Sequence, residues 1–306
     1  MTEFEGLAQH VFPLLEAEGL APAEMSLFRP ISDIVDNPIK LAIHDERGLC
    51  LGILQWSPPA AVQAIADAVR RAEAARRRLG LDLGEVVLAA TLEGEFQSRS
   101  FALYPWQRTL SDHRLLSRFH AWLYASPVID WLSGVHAQAF APLPESEFPA
   151  RISSPLEQLW TEPGLAPSLR EVAREVAAAV ESGTFVPQVG PVHNDLWRGN
   201  ILLPSERSKR SESGRPFRLI DWGASTLAGF PFWDLVRVLR SLRIPHALAR
   251  RILRRECRIL GMTFEEGHRS LVLALADLGV SRNEFPLDSY LKSVVQYHAY
   301  FQKLAF

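Results

Sequence analysis

His193-Asn194-Asp195-Leu196-Trp197-Arg198-Gly199-Asn200 is the stretch whose reading decides the fold. It has the form His-x-Asp-x-x-x-x-Asn. Asp221-Trp222-Gly223 follows 21 residues after Asn200, behind the mostly apolar run Phe217 to Ile220. Pro191-Val192 leads into the octet, and Ile201-Leu202-Leu203-Pro204 leaves it as a short strand. Phe232-Trp233-Asp234-Leu235 lies beyond. Two carboxylates and an amide in this order suit a magnesium–nucleotide site, because magnesium takes hard oxygen ligands and few of them from protein. The competing reading is a polar turn between two strands, followed by a strand-end aspartate. The apolar flanks and the second element weigh against it.

Composition bounds the answer. The chain has 306 residues, 47% hydrophobic and 22% charged, which is ordinary globular composition with room for two lobes. Its net charge of −2 gives no general pull toward nucleic acid or anionic membrane. Cys50 and Cys257 make no disulfide framework, as expected in a reducing cytoplasm. Met1-Thr2-Glu3-Phe4-Glu5 lacks a signal-peptide pattern, and no apolar run is long enough to span a bilayer. The expectation is a cytoplasmic chain with no nucleic-acid partner and no membrane span. The oligomeric state stays open.

Periodicity places the motifs. Residues 3–19 read as a helix, followed by strands near 25–31, 38–44 and 49–56. A long helix covers 60–79 and stops at Gly80. Residues 85–92 and 99–106 read as a strand pair. Beyond Trp106 the chain reads mostly as helices, at 113–124, 128–139 and 167–181, with an irregular connection over 141–166. Three more helical stretches follow Asp234.

From Gly190 to Leu239 the sequence resembles the aminoglycoside phosphotransferase and choline kinase family, small-molecule phosphotransferases with a protein-kinase-like fold. The resemblance rests on His193, Asp195, Leu196, Gly199 and Asn200, then Ile220, Asp221 and Trp222, then Asp234 and Leu235. It implies an α+β bilobal fold. The small β-rich N-lobe is expected over 1–106, with an N-terminal helix and a five-stranded sheet carrying one long helix. The helical C-lobe is expected over 107–306. Asp195 would orient or deprotonate a hydroxyl attacking the γ-phosphate of ATP or GTP, and Asn200 with Asp221 would hold Mg2+. His193 would pack beneath the loop. Asp234 would accept backbone hydrogen bonds from the loop, or simply sit at a helix N-terminus. Arg198 would either neutralise the moving phosphoryl group or pair with a carboxylate. Tyr104 and Trp106 would mark the adenine hinge.

The expected N-lobe departs from the family. The third strand, Leu51 to Trp56, has Gln55 where a phosphate-gripping lysine is usual. Lys40, on the preceding strand, is either the substitute or a solvated strand lysine, and Glu73 is its one candidate glutamate partner on the following helix. Glu73 has the alternative of pairing along the helix with Arg70 or Arg77. The stretch from Ile31 to Pro38 contains no glycine, and glycine is what lets backbone N–H groups approach phosphates. These departures keep a second reading open, a pseudokinase-like nucleotide- or metabolite-binding protein.

The acceptor is expected to be a small molecule with a hydroxyl, such as a sugar, an aminoglycoside or an amino-alcohol. Glu265, Glu266, Asp277, Glu284 and Asp288 are the candidate acids for a cationic acceptor. The arginine-rich helix near 246–260 and the polar insertion 205–216, with Arg207, Lys209, Arg210 and Arg215, read as solvated basic surface or as contacts to an anionic group.

Overall fold

A computed structural model describes residues 3–31, 37–110, 114–203, 215–280 and 286–305, with the backbone alone at 114–118 and 120–121. The fold is mixed α+β, bilobal and protein-kinase-like, with a sheet-rich N-terminal region and a helical C-terminal part. The glycine-free loop, most of the basic insertion and Glu284 lie outside the described residues.

Helix α1 (Glu3–Ala17) buries Leu7, Val11 and Leu15 on one stripe. The first sheet comprises β1 (Pro22–Leu27), β2 (Ile39–Asp45), β3 (Cys50–Trp56), β4 (Leu92–Phe96) and β5 (Arg99–Pro105). Its strands run antiparallel in the order β1-β2-β3-β5-β4. Alternation along the strands sorts the two faces. Leu41, Ile43, Leu54, Trp56, Phe101 and Leu103 join the α1 stripe in one core. Ala102 and Tyr104 pack on the opposite side with Ile65 and Val69. Those two residues belong to α2 (Ala64–Gly84), which turns sharply where Gly80 adopts φ 72.

The strand expected at 85–92 is not there, and the strand paired with β5 begins at Leu92. Two causes act together. Gln97 and Ser98 both adopt positive φ, 51 and 60, and make the hairpin that fixes Phe96 opposite Arg99. The apolar run Val86-Val87-Leu88 is used elsewhere. It bonds to Leu219 on both sides, through Leu219 N–H to Val86 O (2.6 Å) and Leu88 N–H to Leu219 O (2.9 Å).

Two short strands, β6 (Arg108–Thr109) and β7 (Ala141–Pro142), flank α3 (Arg114–Ala139). Two separate helices were expected here, but α3 runs through Pro127 without a break. Burial of Val128, Ile129, Trp131, Leu132 and Val135 just beyond it outweighs the single lost backbone bond. Residues 141–166, expected to be irregular, include α4 (Ser154–Thr161). Helix α5 (Pro167–Glu181) falls where periodicity places it and leads into β8 (Gln188–Val192). Then come β9 (Ile201–Leu203), β10 (Arg218–Leu219) and β11 (Thr226–Gly229). Helices α6 (Trp233–Ser241), α7 (His246–Ile259), α8 (Phe264–Val280) and α9 (Leu287–Lys303) close the described chain. Four helices thus stand where three were expected, and Asp234 lies in the first turn of α6. No described helix is long and apolar enough to cross a membrane.

The α8–α9 interface carries a pH sensitivity. His268 and His298 lie with ring centroids 4.9 Å apart, and Phe301 packs on His268. Burial, with His298 and Arg269 adding, lowers the His268 pKa from an ordinary 6.5 to about 4. Burial lowers that of His298 as well. The unfolded chain therefore takes up protons first. The stability these imidazoles contribute is intact above pH 6.5 and is lost as the pH falls toward 4. For His268 alone the loss is at most roughly 3 kcal/mol. Urea unfolding measured across that window should show the decline, and His268→Gln should flatten it.

Candidate active site

Helix α6 organises the octet. Its residues 233, 234, 237 and 241 fall at successive turns on one side. Asp234 is buried, and its Oδ2 accepts the backbone N–H of His193 at 2.6 Å. Burial pushes its carboxyl pKa up against the opposing pull of His193, Arg237 and the backbone N–H groups of His193 and Leu196. Trp233 Nε1–H donates to Asn194 O at 2.8 Å. Ser241 Oγ accepts the Arg198 N–H at 3.1 Å. A nine-residue helix thus grips the loop from His193 to Arg198 along its length.

His193 is buried, as a supporting residue should be. Its Nε2 faces Ile220 O at 3.1 Å, so Nε2 carries the proton. Its Nδ1 accepts the Asp195 N–H at 3.3 Å. Its ring lies 4.5 Å from that of Trp222, centroid to centroid. One imidazole therefore couples the octet to the Asp-Trp-Gly element. Asn194 adds a second link, from Nδ2 to Ala224 O at 3.0 Å.

Asn200 is buried at the end of a short 3-10 turn, Arg198–Asn200. Its Nδ2 donates to Asp195 O at 2.8 Å and to Asp195 Oδ2 at 2.9 Å. That leaves its Oδ1 as the acceptor end, a hard oxygen. Asp221 adopts the left-handed conformation, φ 72 and ψ 56, at the start of the turn Trp222–Ala224. Its carboxylate remains 39% exposed. Among the described residues no group of three or more His, Cys, Asp or Glu is gathered to hold a metal by protein ligands alone. An amide oxygen and one or two carboxylates fit magnesium, which completes its shell with phosphate oxygens and water.

From the sheet side, Lys40 Nζ lies 3.6 Å from Asp221 Oδ2. Register explains this reach. Lys40 on β2 is the direct cross-strand partner of Gln55 on β3, which is in turn the partner of Ala102 on β5. Cross-strand partners share a face, so Lys40 projects from the face that also presents Gln55 and Ala102. Gln55 is itself buried.

The structure does not bring Glu73 to Lys40. Glu73 pairs with Arg77 at 3.6 Å, and its side chain is 56% exposed. The buried face of α2 is formed by Ile65, Val69, Ala72 and Ala75, which turns Glu73 outward with Arg70 and Arg77. The helix reaches the Asp-Trp-Gly element through Arg71 instead, whose guanidinium donates to Gly223 O.

Tyr104 is buried on β5. Burial, with the charges of Asp221 and Glu93, pushes its phenol pKa well above the ordinary value. Trp106 N–H donates to Leu51 O at 3.3 Å, and its ring meets Phe28 edge-on at 5.9 Å. Phe28 is a neighbour that no motif announces.

The arginine that meets Asp195 is Arg237, with Nη2 2.6 Å from Oδ1. Arg198 is held through its backbone by Ser241. Three of the five candidate acids for a cationic acceptor are committed elsewhere. Glu265 pairs with Arg269, Glu266 caps α8 through Thr263, and Asp277 pairs with Arg151 at 3.4 Å. Of the basic helix, Arg255 is tied to Asp130 and Glu256. Arg215, at the edge of the insertion, makes a two-pronged contact to Asp82 at 3.0 and 3.1 Å.

The sequence pattern of the phosphotransferase enzyme family matches residues 28–270, and the chain belongs to this family. Solved structures of similar fold include an aminoglycoside phosphotransferase, a choline kinase and a choline/ethanolamine kinase family protein. One is a thermostable mutant of an aminoglycoside phosphotransferase in ternary complex with ADP and hygromycin B. It is 13% identical, covers 96% of this chain and 97% of its own, and has a TM-score of 0.60. A choline kinase from Streptococcus pneumoniae is 13% identical over 98% of this chain and 97% of its own, with a TM-score of 0.54. A choline/ethanolamine kinase family protein from Mesorhizobium loti is 15% identical over 97% and 93%, with a TM-score of 0.53. At these identities the likeness is one of fold. No curated protein matches the chain.

Proposed function

We propose that the chain transfers the γ-phosphoryl group of a magnesium nucleotide, ATP or GTP, to a hydroxyl of a small molecule. A sugar, an aminoglycoside or an amino-alcohol is the acceptor class. The observation that carries this reading is the pairing of Asp195 with Asn200 and of Lys40 with Asp221, on segments joined by the bond from Ile220 N–H to Asn200 O at 3.2 Å.

The chemistry follows from the geometry. Asp195 is 38% exposed, so an acceptor hydroxyl can reach its carboxylate and be aligned by it. The hydroxyl oxygen forms a bond to the γ-phosphorus, and the bond from that phosphorus to the β,γ-bridging oxygen breaks. The nucleoside diphosphate leaves, and the hydroxyl proton passes to Asp195 or through it to solvent. Asn200 Oδ1 and the Asp221 carboxylate would hold Mg2+. When bound, the metal supplies charge neutralisation on the phosphate oxygens. Lys40 adds a cation beside the same carboxylate and would contact the phosphates. Transfer of this kind is catalysed mostly by positioning and electrostatics.

Lys40 also weighs against the pseudokinase-like reading. A chain without a lysine at position 55 still directs one to Asp221 from the adjacent strand. Lys40→Met is expected to lower kcat/KM for the nucleotide on the order of 10²-fold, mainly through a weaker KM. Steady-state kinetics with varied ATP would show this, and an unchanged KM would remove Lys40 from the site.

The function itself is tested by calorimetric titration of ATP, then GTP, with and without Mg2+. Binding of either nucleotide that depends on Mg2+ is expected. Absence of binding by both would overturn the reading.

A further inference from the structure

Resting on the phosphotransferase reading, we propose that Arg237 is a positioning residue that fixes the rotamer of Asp195 for the incoming hydroxyl. The terminal torsion of an aspartate is broad and nearly two-fold, so a carboxylate held by one donor can swing. Here two donors on separate elements take separate oxygens. Asn200 Nδ2 meets Oδ2 at 2.9 Å, and Arg237 Nη2 meets Oδ1 at 2.6 Å. Together they set the carboxylate plane. An ionised carboxylate accepts about four hydrogen bonds, so both oxygens keep capacity for the acceptor.

Arg237 is itself held in place. Its Nη1 donates to Asn194 O at 3.2 Å. Its guanidinium lies 5.3 Å from the ring centre of Trp233, and Trp233 donates to the same Asn194 carbonyl. Asn194 sits at φ 64, in the tight turn where its carbonyl meets both donors. The Arg237 side chain is only 21% exposed, so the pair is less screened than a surface ion pair. A planar, forked guanidinium can bond the carbonyl and the carboxylate together, whereas an ammonium is a point charge.

The consequence is kinetic rather than structural. A misplacement of about 1 Å in a reacting group can cost about 10²-fold in rate. The test is steady-state hydrolysis of magnesium-ATP, or of magnesium-GTP where wild type takes that donor instead, with water as acceptor, by the full chain and its variants. Arg237→Met is expected to lower kcat by roughly 10-fold to 10²-fold while KM for ATP stays within about twofold. Arg237→Lys should recover part of the loss, because it restores the charge without the fork. Wild-type kcat in Arg237→Met would overturn the proposal. So would a kcat and KM that change in parallel with a lowered melting temperature. Should the methionine variant fail to fold, Arg237→Gln carries the same readings. Asp195→Asn separates the two levels of inference. If wild type hydrolyses neither ATP nor GTP, or Asp195→Asn hydrolyses the accepted nucleotide as well as wild type, the phosphotransferase reading falls and the proposal falls with it. If Asp195→Asn is inactive and Arg237→Met is fully active, only the role of Arg237 falls.

Discussion

Asp195→Asn is expected to lower kcat by roughly 10³-fold or more while leaving nucleotide binding nearly intact. Asparagine keeps the shape of the side chain. Its carbonyl oxygen can still accept a bond from Arg237 or Asn200. It loses the basicity and half of the acceptor capacity that a hydroxyl needs for alignment. The ion pair to Arg237 is lost as well. That pair is partly exposed, so the expected cost in stability is about 1 kcal/mol or less. The two effects separate in measurement, with a large fall in turnover and a small shift in melting temperature. Turnover close to wild type would remove Asp195 from the reacting centre.

Asp221→Asn is expected to have an effect of similar size on a different quantity. The Asp221 carboxylate is placed at the start of its turn by a left-handed backbone, with Lys40 3.6 Å away. Removing its charge weakens the proposed metal site and takes from Lys40 the carboxylate it pairs with. Binding of ATP in the presence of Mg2+ should fall toward that seen without the metal, and kcat/KM should drop by at least about 10²-fold. Calorimetry on wild type and variant checks the first, and steady-state kinetics the second. Retention of full magnesium-dependent binding would place the metal elsewhere.

The central part of the site was legible because its geometry is local. Asp195 and Asn200 lie within one octet, and their hydrogen bond spans five residues. The Asp-Trp-Gly element is joined to that octet by His193, which the pattern also contains. What depends on packing was less legible. Arg237 meets Asp195 across 42 positions of sequence, and only the docking of α6 brings them together. The sequence does carry a signal for it, because residues 233, 234, 237 and 241 share one side of a short helix. Glu73 is the one glutamate of its helix, but residue type alone does not say which stripe of α2 is buried. The structure buries Ile65, Val69 and Ala72 and turns Glu73 toward Arg77.

The fold shows the same division. α1, β2, β3, β5 and α5 fall close to where alternation and helical spacing put them. The misplaced strand at 85–92 was an apolar run whose partner could not be read from periodicity. Val86 and Leu88 bond to Leu219, more than a hundred residues downstream. Lys40 lies between these cases. Its strand was legible, but its cross-strand alignment with Gln55 and its pairing with Asp221 required the register.

The most direct test is to incubate the protein with Mg2+, ATP or GTP and a fractionated pool of small hydroxyl compounds, and to search by mass spectrometry for products heavier by one phosphoryl group. A product formed by wild type, absent without Mg2+ and absent with Asp195→Asn, is the expected result. A product that still forms with Asp195→Asn, or forms equally without metal, would contradict the assignment of the His193–Asn200 loop and Asp221 as a phosphotransfer centre.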